Sequence, residues 1–284
     1  MATSLLLGLI GAGIQASRAP ALHEGEADEQ GLHCIYKLID LEQLKLGTDA
    51  LSDLLIAAER MGFAGLNITH PCKQAVIPLL TELSSDARAI GAVNTVLLRD
   101  GRRIGNNTDW YGFAESFREG LPDVPLGHVV QLGAGGAGSA VAYAAAKLGV
   151  QRLTIFDIDT SRARSLADQI CTQFGAGRAV AGSDIEAAMQ SADGLINTTP
   201  IGMVGHPGIP IAPTLLRSSL WVTDVIYFPL ETELLRTARD QGCRVLDGGG
   251  MAVHQAVEAF RLFTGIPADS ARMRRHFIAM GPPG

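Results

Sequence analysis

The stretch His128-Val-Val-Gln-Leu132, Gly133-Ala-Gly135-Gly136-Ala137-Gly138, Ser139-Ala-Val-Ala-Tyr-Ala-Ala-Ala-Lys147 decides the fold. A short β-like run enters a G-x-G-x-x-G turn, and an alanine-rich helix leaves it. In such a turn the first glycine permits the bend and the second lets a pyrophosphate approach the backbone. The third lets helix and strand pack closely, with the anion at the helix N-terminus. Gly136 and Ala137 complete the backbone of the turn.

A second run, Leu153-Thr-Ile-Phe-Asp157, ends in a carboxylate 19 residues after Gly138, close to the ~20 expected of a ribose-binding acid. Asp157 is therefore expected to take the adenosine 2′-hydroxyl, and its charge predicts NAD rather than NADP, whose 2′-phosphate it would repel. Arg162 and Arg164 stand at the start of the following helix, where a guanidinium reaches a 2′-phosphate in NADP-using sites. A capping role at that helix falls to Asp159 or Thr160 before Asp157. A methyltransferase, which also uses a glycine-rich turn and an acid after the next strand, stays open on these residues alone.

Working outward, short apolar runs alternate with helical stretches: Leu5–Ile10, His33–Ile39, Gly65–Ile68, Val93–Leu98, His128–Leu132, Leu153–Phe156, Gly194–Asn197, Trp221–Ile226 and Arg244–Leu246. Alternating β and α predicts an α/β fold with a mostly parallel sheet covered by helices. The helix Asp49–Met61 carries Leu51, Leu54, Leu55 and Ala58 on one face. A Gly/Pro-rich stretch, Gly112–Pro125, separates two αβ halves. The expected organisation is a substrate domain over 1–112, a Rossmann-type dinucleotide domain over 113–250, and C-terminal helices over 251–284 returning to the first domain.

The composition fits. The chain has 284 residues, 47% hydrophobic and 18% charged, with a net charge of −6. Its 23 Lys and Arg are scattered, which argues against nucleic acid or a membrane surface as partner. Cys34, Cys72, Cys171 and Cys243 stand far apart with no C-x-x-C pair, as reduced thiols of a cytoplasmic protein do. No clustered His, Cys and carboxylate ligands point to a metal. Between Asp123 and Lys147 no charged residue occurs, yet five glycines interrupt that span, which reads as a βα unit rather than a membrane helix.

Ahead of the dinucleotide turn come Asn67-Ile-Thr69-His-Pro-Cys-Lys73-Gln74, Gly91-Ala-Val-Asn94-Thr95 and Asn107-Thr-Asp109-Trp-Tyr-Gly112. Behind it come Asn197-Thr198-Thr-Pro200-Ile-Gly-Met203, Asp224-Val-Ile-Tyr227-Phe-Pro229 and Gly250-Met251-Ala-Val-His-Gln255. In this order the motifs resemble the shikimate/quinate dehydrogenase family over nearly the whole chain. The resemblance implies two αβ domains with the active site in the cleft between them, and reversible hydride transfer between a nicotinamide and a ring hydroxyl of a small polyhydroxy carboxylic acid.

It also implies roles. Lys73, one of only four lysines, is the expected general acid/base, and Asp109 is the partner that holds its ammonium. Ser17, Thr69, Asn94, Asp109, Tyr227 and Gln255 are the expected substrate contacts. Gly133, Gly135, Gly136, Ala137, Asp157, Arg162, Thr198, Pro200, Gly250 and Met251 are expected around the cofactor. Plainer readings exist: Asp109 as a helix cap, Thr69 and Asn94 as turn residues, Met251 as core.

The chain departs from the family pattern in four places. Where Ser-x-Ser-Pro is common it has Ser17-Arg18-Ala19-Pro20, so Ala19 removes one donor to the substrate carboxylate, and Arg18 is a candidate replacement. Pro200 stands where serine is usual, and His70 where an apolar residue is frequent. Asp157-Ile158-Asp159 replaces the Asn-Arg-Thr of NADP-using members, again predicting NAD. The competing readings are another two-domain dehydrogenase, such as a folate or amino-acid enzyme, and a ligand-sensing regulator that kept the fold and lost turnover. Presence of both Lys73 and Asp109 speaks against the regulator. A monomer or a homodimer fits the sequence equally.

Overall fold

The structure is a computed structural model and describes residues 4–281. The outermost three residues of the ranges 1–112 and 251–284 lie outside the described residues. Two compact units form: one runs to Thr108 and resumes at Val253, and the other is Asp109–Ala252.

The first unit holds a six-stranded sheet of β1 (Ser4–Gly11), β2 (His33–Asp40), β3 (Gly65–Ile68), β4 (Glu82–Leu83), β5 (Thr95–Arg99) and β6 (Arg102–Asn106), in the order β2-β1-β3-β5-β6-β4. Its pairs β2/β1, β1/β3 and β4/β6 are parallel, while β5 runs antiparallel to both neighbours. The reversal comes from Asp100-Gly101, both at positive φ (51° and 72°), the conformation a two-residue hairpin loop requires. Helices α1 (Ala19–Glu29), α2 (Leu41–Leu44), α3 (Leu51–Arg60), α4 (Cys72–Ala75) and α5 (Ser85–Ile90) join these strands. Leu51, Leu55 and Ala58 of α3 are fully buried in a core with Ile10, Leu66, Ile68 and Val96, as the helical spacing predicts.

The second unit opens with α6 (Asp109–Gly120) and builds an all-parallel sheet from β7 (His128–Leu132), β8 (Arg152–Phe156), β9 (Ala179–Ala181), β10 (Gly194–Asn197), β11 (Trp221–Asp224) and β12 (Arg244–Leu246). The order is β12-β11-β10-β7-β8-β9, the doubly wound arrangement in which strand order reverses between β7 and β10. Helices α7 (Gly136–Leu148), α8 (Thr160–Phe174), α9 (Ile185–Gln190) and α10 (Glu233–Asp240) cross over between strands. The uncharged stretch is thus β7 and α7, and no helix among the described residues is long and apolar enough to cross a membrane.

A glycine- and proline-rich break at 112 would divide α6, but that helix stays with the second unit. Its Phe117 packs edge-on against Trp221 at 5.0 Å, and its Trp110 against Tyr143 at 5.7 Å. Helix α11 (Gly249–Thr264) begins in the second unit and ends in the first, where α12 (Ser270–Ala279) follows. There Arg272 makes a two-pronged ion pair with the buried Glu26 of α1, at 2.7 and 2.8 Å.

Candidate functional site

In the first unit the ends of β1, β2, β3 and β6 and the start of β5 lie at the same edge of the sheet, because β5 reverses direction there. Of the expected substrate contacts, Ser17, Thr69 and Asn94 lie at that edge, whereas Asp109 and Tyr227 belong to the second unit. Thr69 follows β3 directly, its N–H bonded to the Ile10 carbonyl at 2.9 Å. A Cβ on Gly11 would stand 2.3 Å from the Thr69 methyl, so the two strand ends approach as closely as glycine allows. Ser17 lies on the loop after β1, which is held by the buried Asp40 at the end of β2. Asp40 accepts from the Gly13 and Ile14 N–H groups, the Gln15 amide and the Glu42 N–H. Burial pushes its carboxyl up, and the bonds from Gln15, Gly13, Glu42 and Ile14 outweigh that and hold it below the usual carboxylate range.

Asn94 belongs to a buried chain of polar side chains. Its amide donates to Thr108 Oγ1 at 2.9 Å, its carbonyl oxygen accepts from Thr108 N–H at 2.7 Å, and Thr108 Oγ1 lies 3.5 Å from Gln255 Oε1. On the other side Thr95 links Asn94 to Asn67, whose carbonyl oxygen accepts from the Tyr36 hydroxyl at 2.7 Å. Burial raises the Tyr36 phenol well above its ordinary pKa, so it stays a donor. Asn67, Thr95 and Thr108 lie within the quoted motifs, whereas Tyr36 carries no signal of such a role in a single sequence.

Lys73 sits half-buried on the four-residue helix α4, whose place is set by a bond from Val93 N–H to the Lys73 carbonyl at 2.8 Å. Its neighbour Cys72 is fully buried, and burial pushes that thiol up to about 11, so it packs rather than ionises. His70 is exposed. Arg18 is committed elsewhere: its guanidinium donates to the Phe277 carbonyl at 3.0 Å and to the Gly281 carbonyl, and lies 4.5 Å over the Phe277 ring. The carboxylate-binding role considered for Arg18 is therefore not its place in the fold. Ser17 Oγ accepts from the Ala19 N–H at 3.2 Å.

In the second unit each glycine of the turn between β7 and α7 has its own local geometry. Gly133 has φ 97°, and a Cβ there would meet Thr198 Oγ1 at 2.6 Å. At Gly135 nothing lies within 4 Å of a Cβ, which is the open approach a pyrophosphate needs. A Cβ on Gly138 would strike the Gly133 carbonyl at 2.5 Å, so only glycine lets helix and strand meet. No side chain caps α7 at Gly135, leaving Gly136 and Ala137 in an uncapped first helical turn suited to an anion. Thr198, after β10, donates to the Leu132 and Gly133 carbonyls at 2.8 and 3.0 Å, tying the switch point together.

Asp157 follows β8 directly. One carboxylate oxygen accepts from Ala134 N–H of the turn at 2.7 Å and the other from Asp159 N–H at 2.9 Å. The cap of α8 is Asp159, which accepts from Ser161 N–H at 2.9 Å. Arg162 does not reach toward Asp157: its Nε stands 3.5 Å from Asp159 Oδ2. Pro200 is exposed beyond Thr198 and Tyr227 is 37% exposed with its ring on Phe228. Gly250 is where α11 passes α6 so closely that a Cβ would meet Ser116 Oγ at 2.2 Å, and Met251 beside it is half-buried. Asp109 is buried in the first turn of α6. Among the described residues no group of three potential metal ligands occurs, and the four cysteines are free.

The unread residue with the most visible part in this half is Asp224, fully buried at the end of β11. It accepts from Ile226 N–H, Thr232 and Asn197 at 3.1, 2.8 and 3.1 Å, holding together the loops after β10 and β11.

Residues 9–96 match the shikimate dehydrogenase substrate binding domain, and 248–276 the shikimate 5'-dehydrogenase C-terminal domain. Residues 117–217 match the alanine dehydrogenase/PNT C-terminal domain. The chain is 56% identical over 272 residues to a shikimate dehydrogenase (NADP(+)) of Streptomyces avermitilis, covering 95% of this chain and 94% of that one. It is 51% identical over 281 residues to a quinate/shikimate dehydrogenase (NAD(+)) of Corynebacterium efficiens, covering 98% and 99%. Among solved structures, quinate dehydrogenase from Corynebacterium glutamicum in complex with NAD superposes with a TM-score of 0.91 at 51% identity, over 98% of this chain and 99% of that one. This two-unit α/β chain belongs to the shikimate/quinate dehydrogenase family of NAD(P)-dependent oxidoreductases acting on CH–OH groups.

Proposed function

We propose that this enzyme transfers a hydride reversibly between NAD and a ring hydroxyl of quinate, shikimate or a close polyhydroxy acid, with NADP the poorer cofactor. The observation that carries the cofactor choice is Asp157. Its carboxylate is fastened to the glycine-rich turn through Ala134 N–H, at the strand end where an adenosine ribose is held. A 2′-phosphate there would face that charge, and Asp159 beside it adds another. The similarity to an NAD-bound quinate dehydrogenase supports the same choice, while the similarity to an NADP(+) enzyme shows that the family uses both.

Bound nicotinamide supplies the hydride acceptor for oxidation. In that direction the Lys73 amine takes the hydroxyl proton as the carbinol C–H bond breaks, and in the reverse direction it returns the proton to the alcohol oxygen. Asp109 is the carboxylate partner that orients Lys73. Ser17, Thr69, Asn94 and Gln255 present hydroxyl and amide groups to the substrate's carboxylate and hydroxyls, with Tyr227 bordering the reacting ring and Gly250 and Met251 the nicotinamide. The Tyr36–Asn67–Thr95–Asn94–Thr108 chain supports this reading, because it fixes the rotamer of Asn94 and so the geometry of recognition.

Initial rates with NAD⁺ and NADP⁺, each with quinate and with shikimate, test the proposal. NAD-linked oxidation of at least one acid, with kcat/KM for NAD⁺ above that for NADP⁺, is the expected result. Faster turnover with NADP⁺ would overturn the cofactor assignment, and no turnover of either acid the substrate assignment.

A further inference from the structure

We propose that Gln131 is a positioning residue that holds the glycine-rich turn in its dinucleotide-binding shape, an inference that rests on the dinucleotide reading of that turn. Gln131 is the fourth residue of β7, fully buried, and pairs in the sheet with Ile155 of β8 and Ile196 of β10. Val129, Val130 and Leu132 on the same strand are buried and apolar. A fully buried central strand of a parallel sheet ordinarily carries only such residues.

The amide of Gln131 reaches both ends of the turn. Nε2 donates to the Gly133 carbonyl at 2.9 Å and to the Gly138 carbonyl at 2.9 Å. Both partners are acceptors, so the amide must present its NH₂ group to them. Oε1 then points away and has no hydrogen-bond partner among the described residues, although it is buried. Leaving a buried acceptor unmatched destabilises a fold, and a leucine of similar size would avoid the loss. Stability therefore does not account for glutamine at this position, whereas the turn does.

The clamp acts where the turn has least freedom. Gly133 is held at positive φ, and Gly138 passes within a Cβ's reach of the Gly133 carbonyl. By tying the first glycine to the third, Gln131 fixes the start of α7, whose first turn no side chain caps and where the space at Gly135 is open. Thr198 already bonds the Gly133 carbonyl and the Gly138 carbonyl belongs to the helix ladder, so removing the amide loosens the turn without stranding either oxygen.

The test compares the full chain with Gln131→Leu and with Gln131→Met, whose unbranched chain keeps the shape of glutamine if the leucine variant does not fold. Calorimetric dissociation constants for NAD⁺ and ADP-ribose, the melting temperature, and the KM for the acid substrate at saturating NAD⁺ are measured together. The expected result is binding of both dinucleotide ligands weakened about tenfold, from two lost hydrogen bonds, with a melting temperature equal to or above wild type and an unaltered acid KM. Unchanged ADP-ribose binding overturns the clamp. So does weaker binding that comes with a lower melting temperature and a raised acid KM, the pattern of a purely structural residue. A wild-type chain that binds neither ligand overturns the dinucleotide reading itself, and the clamp with it.

Discussion

Arg162 Nε stands 3.5 Å from Asp159 Oδ2, one helical turn into α8, and the same carboxylate caps that helix. The guanidinium best placed to greet a 2′-phosphate is thus turned toward an acid, beside the second acid at Asp157. Cofactor choice is accordingly expected to depend on both. Asp157→Ser should weaken NAD⁺ binding about tenfold by loss of ribose hydrogen bonds to a charged acceptor. Asp157→Ser with Asp159→Ser, where serine still caps α8, should improve NADP⁺ binding beyond either single change. Dissociation constants for the two dinucleotides across the four proteins check this, and an NADP⁺ affinity that ignores residue 159 would refute it.

Ala19 opens α1 two residues after Ser17, and Arg18 is spent on the C-terminal end of α12. Arg18 therefore does not make up for the hydroxyl missing at 19. Ala19→Ser is expected to raise kcat/KM for shikimate about tenfold, the effect of one hydrogen bond to a charged carboxylate. Steady-state kinetics with both acids give the answer; an unchanged or lower value for shikimate removes Ala19 as a determinant of specificity.

The buried polar chain yields two separable effects. Asn67→Leu leaves the Tyr36 hydroxyl and Thr95 without their shared partner and should cost about 1–3 kcal/mol in urea unfolding. Thr108→Val cuts the link between Asn94 and Gln255 and should raise KM for the acid about tenfold while leaving the dissociation constant of NAD⁺ unchanged. Equal effects of both variants on both measurements would show that the chain serves stability alone.

Burial raises the Asp224 carboxyl from 3.8 to about 6, against the bonds from Ile226 N–H, Thr232 and Asn197 that pull it down. A carboxyl whose folded pKa lies above its unfolded one binds a proton more tightly when folded. Its stabilisation is complete below pH ~4 and is lost as pH rises through ~6. Relative to Asp224→Asn, wild type should therefore lose about 2 kcal/mol between pH 4 and 7. Urea midpoints of the two proteins across that range check the difference; parallel curves would contradict it.

Much of this was legible in the residues. The turn at Gly133–Gly138, the acid at Asp157 and nine of the strands follow from periodicity and spacing, because each is a local pattern. The strand Arg102–Asn106 escaped a hydrophobic reading since it begins with two arginines, although Asp100-Gly101 is a hairpin signal. Glu82–Leu83 and Ala179–Ala181 are too short for a period to show. The Asn94–Thr108–Gln255 contact joins residues up to 161 positions apart, and Gln131 looks like one polar slip in an apolar strand. Such roles exist only once strands pair.

Lys73 is proposed to move the proton of an NAD-linked oxidation. The most direct measurement is kcat for quinate and shikimate oxidation by Lys73→Ala beside wild type, with calorimetric binding of NAD⁺ and the acid to both. The expected result is a fall in kcat of about a hundredfold or more, the contribution of a positioned acid/base, with both ligands still bound. A variant whose kcat stays near wild type would contradict it.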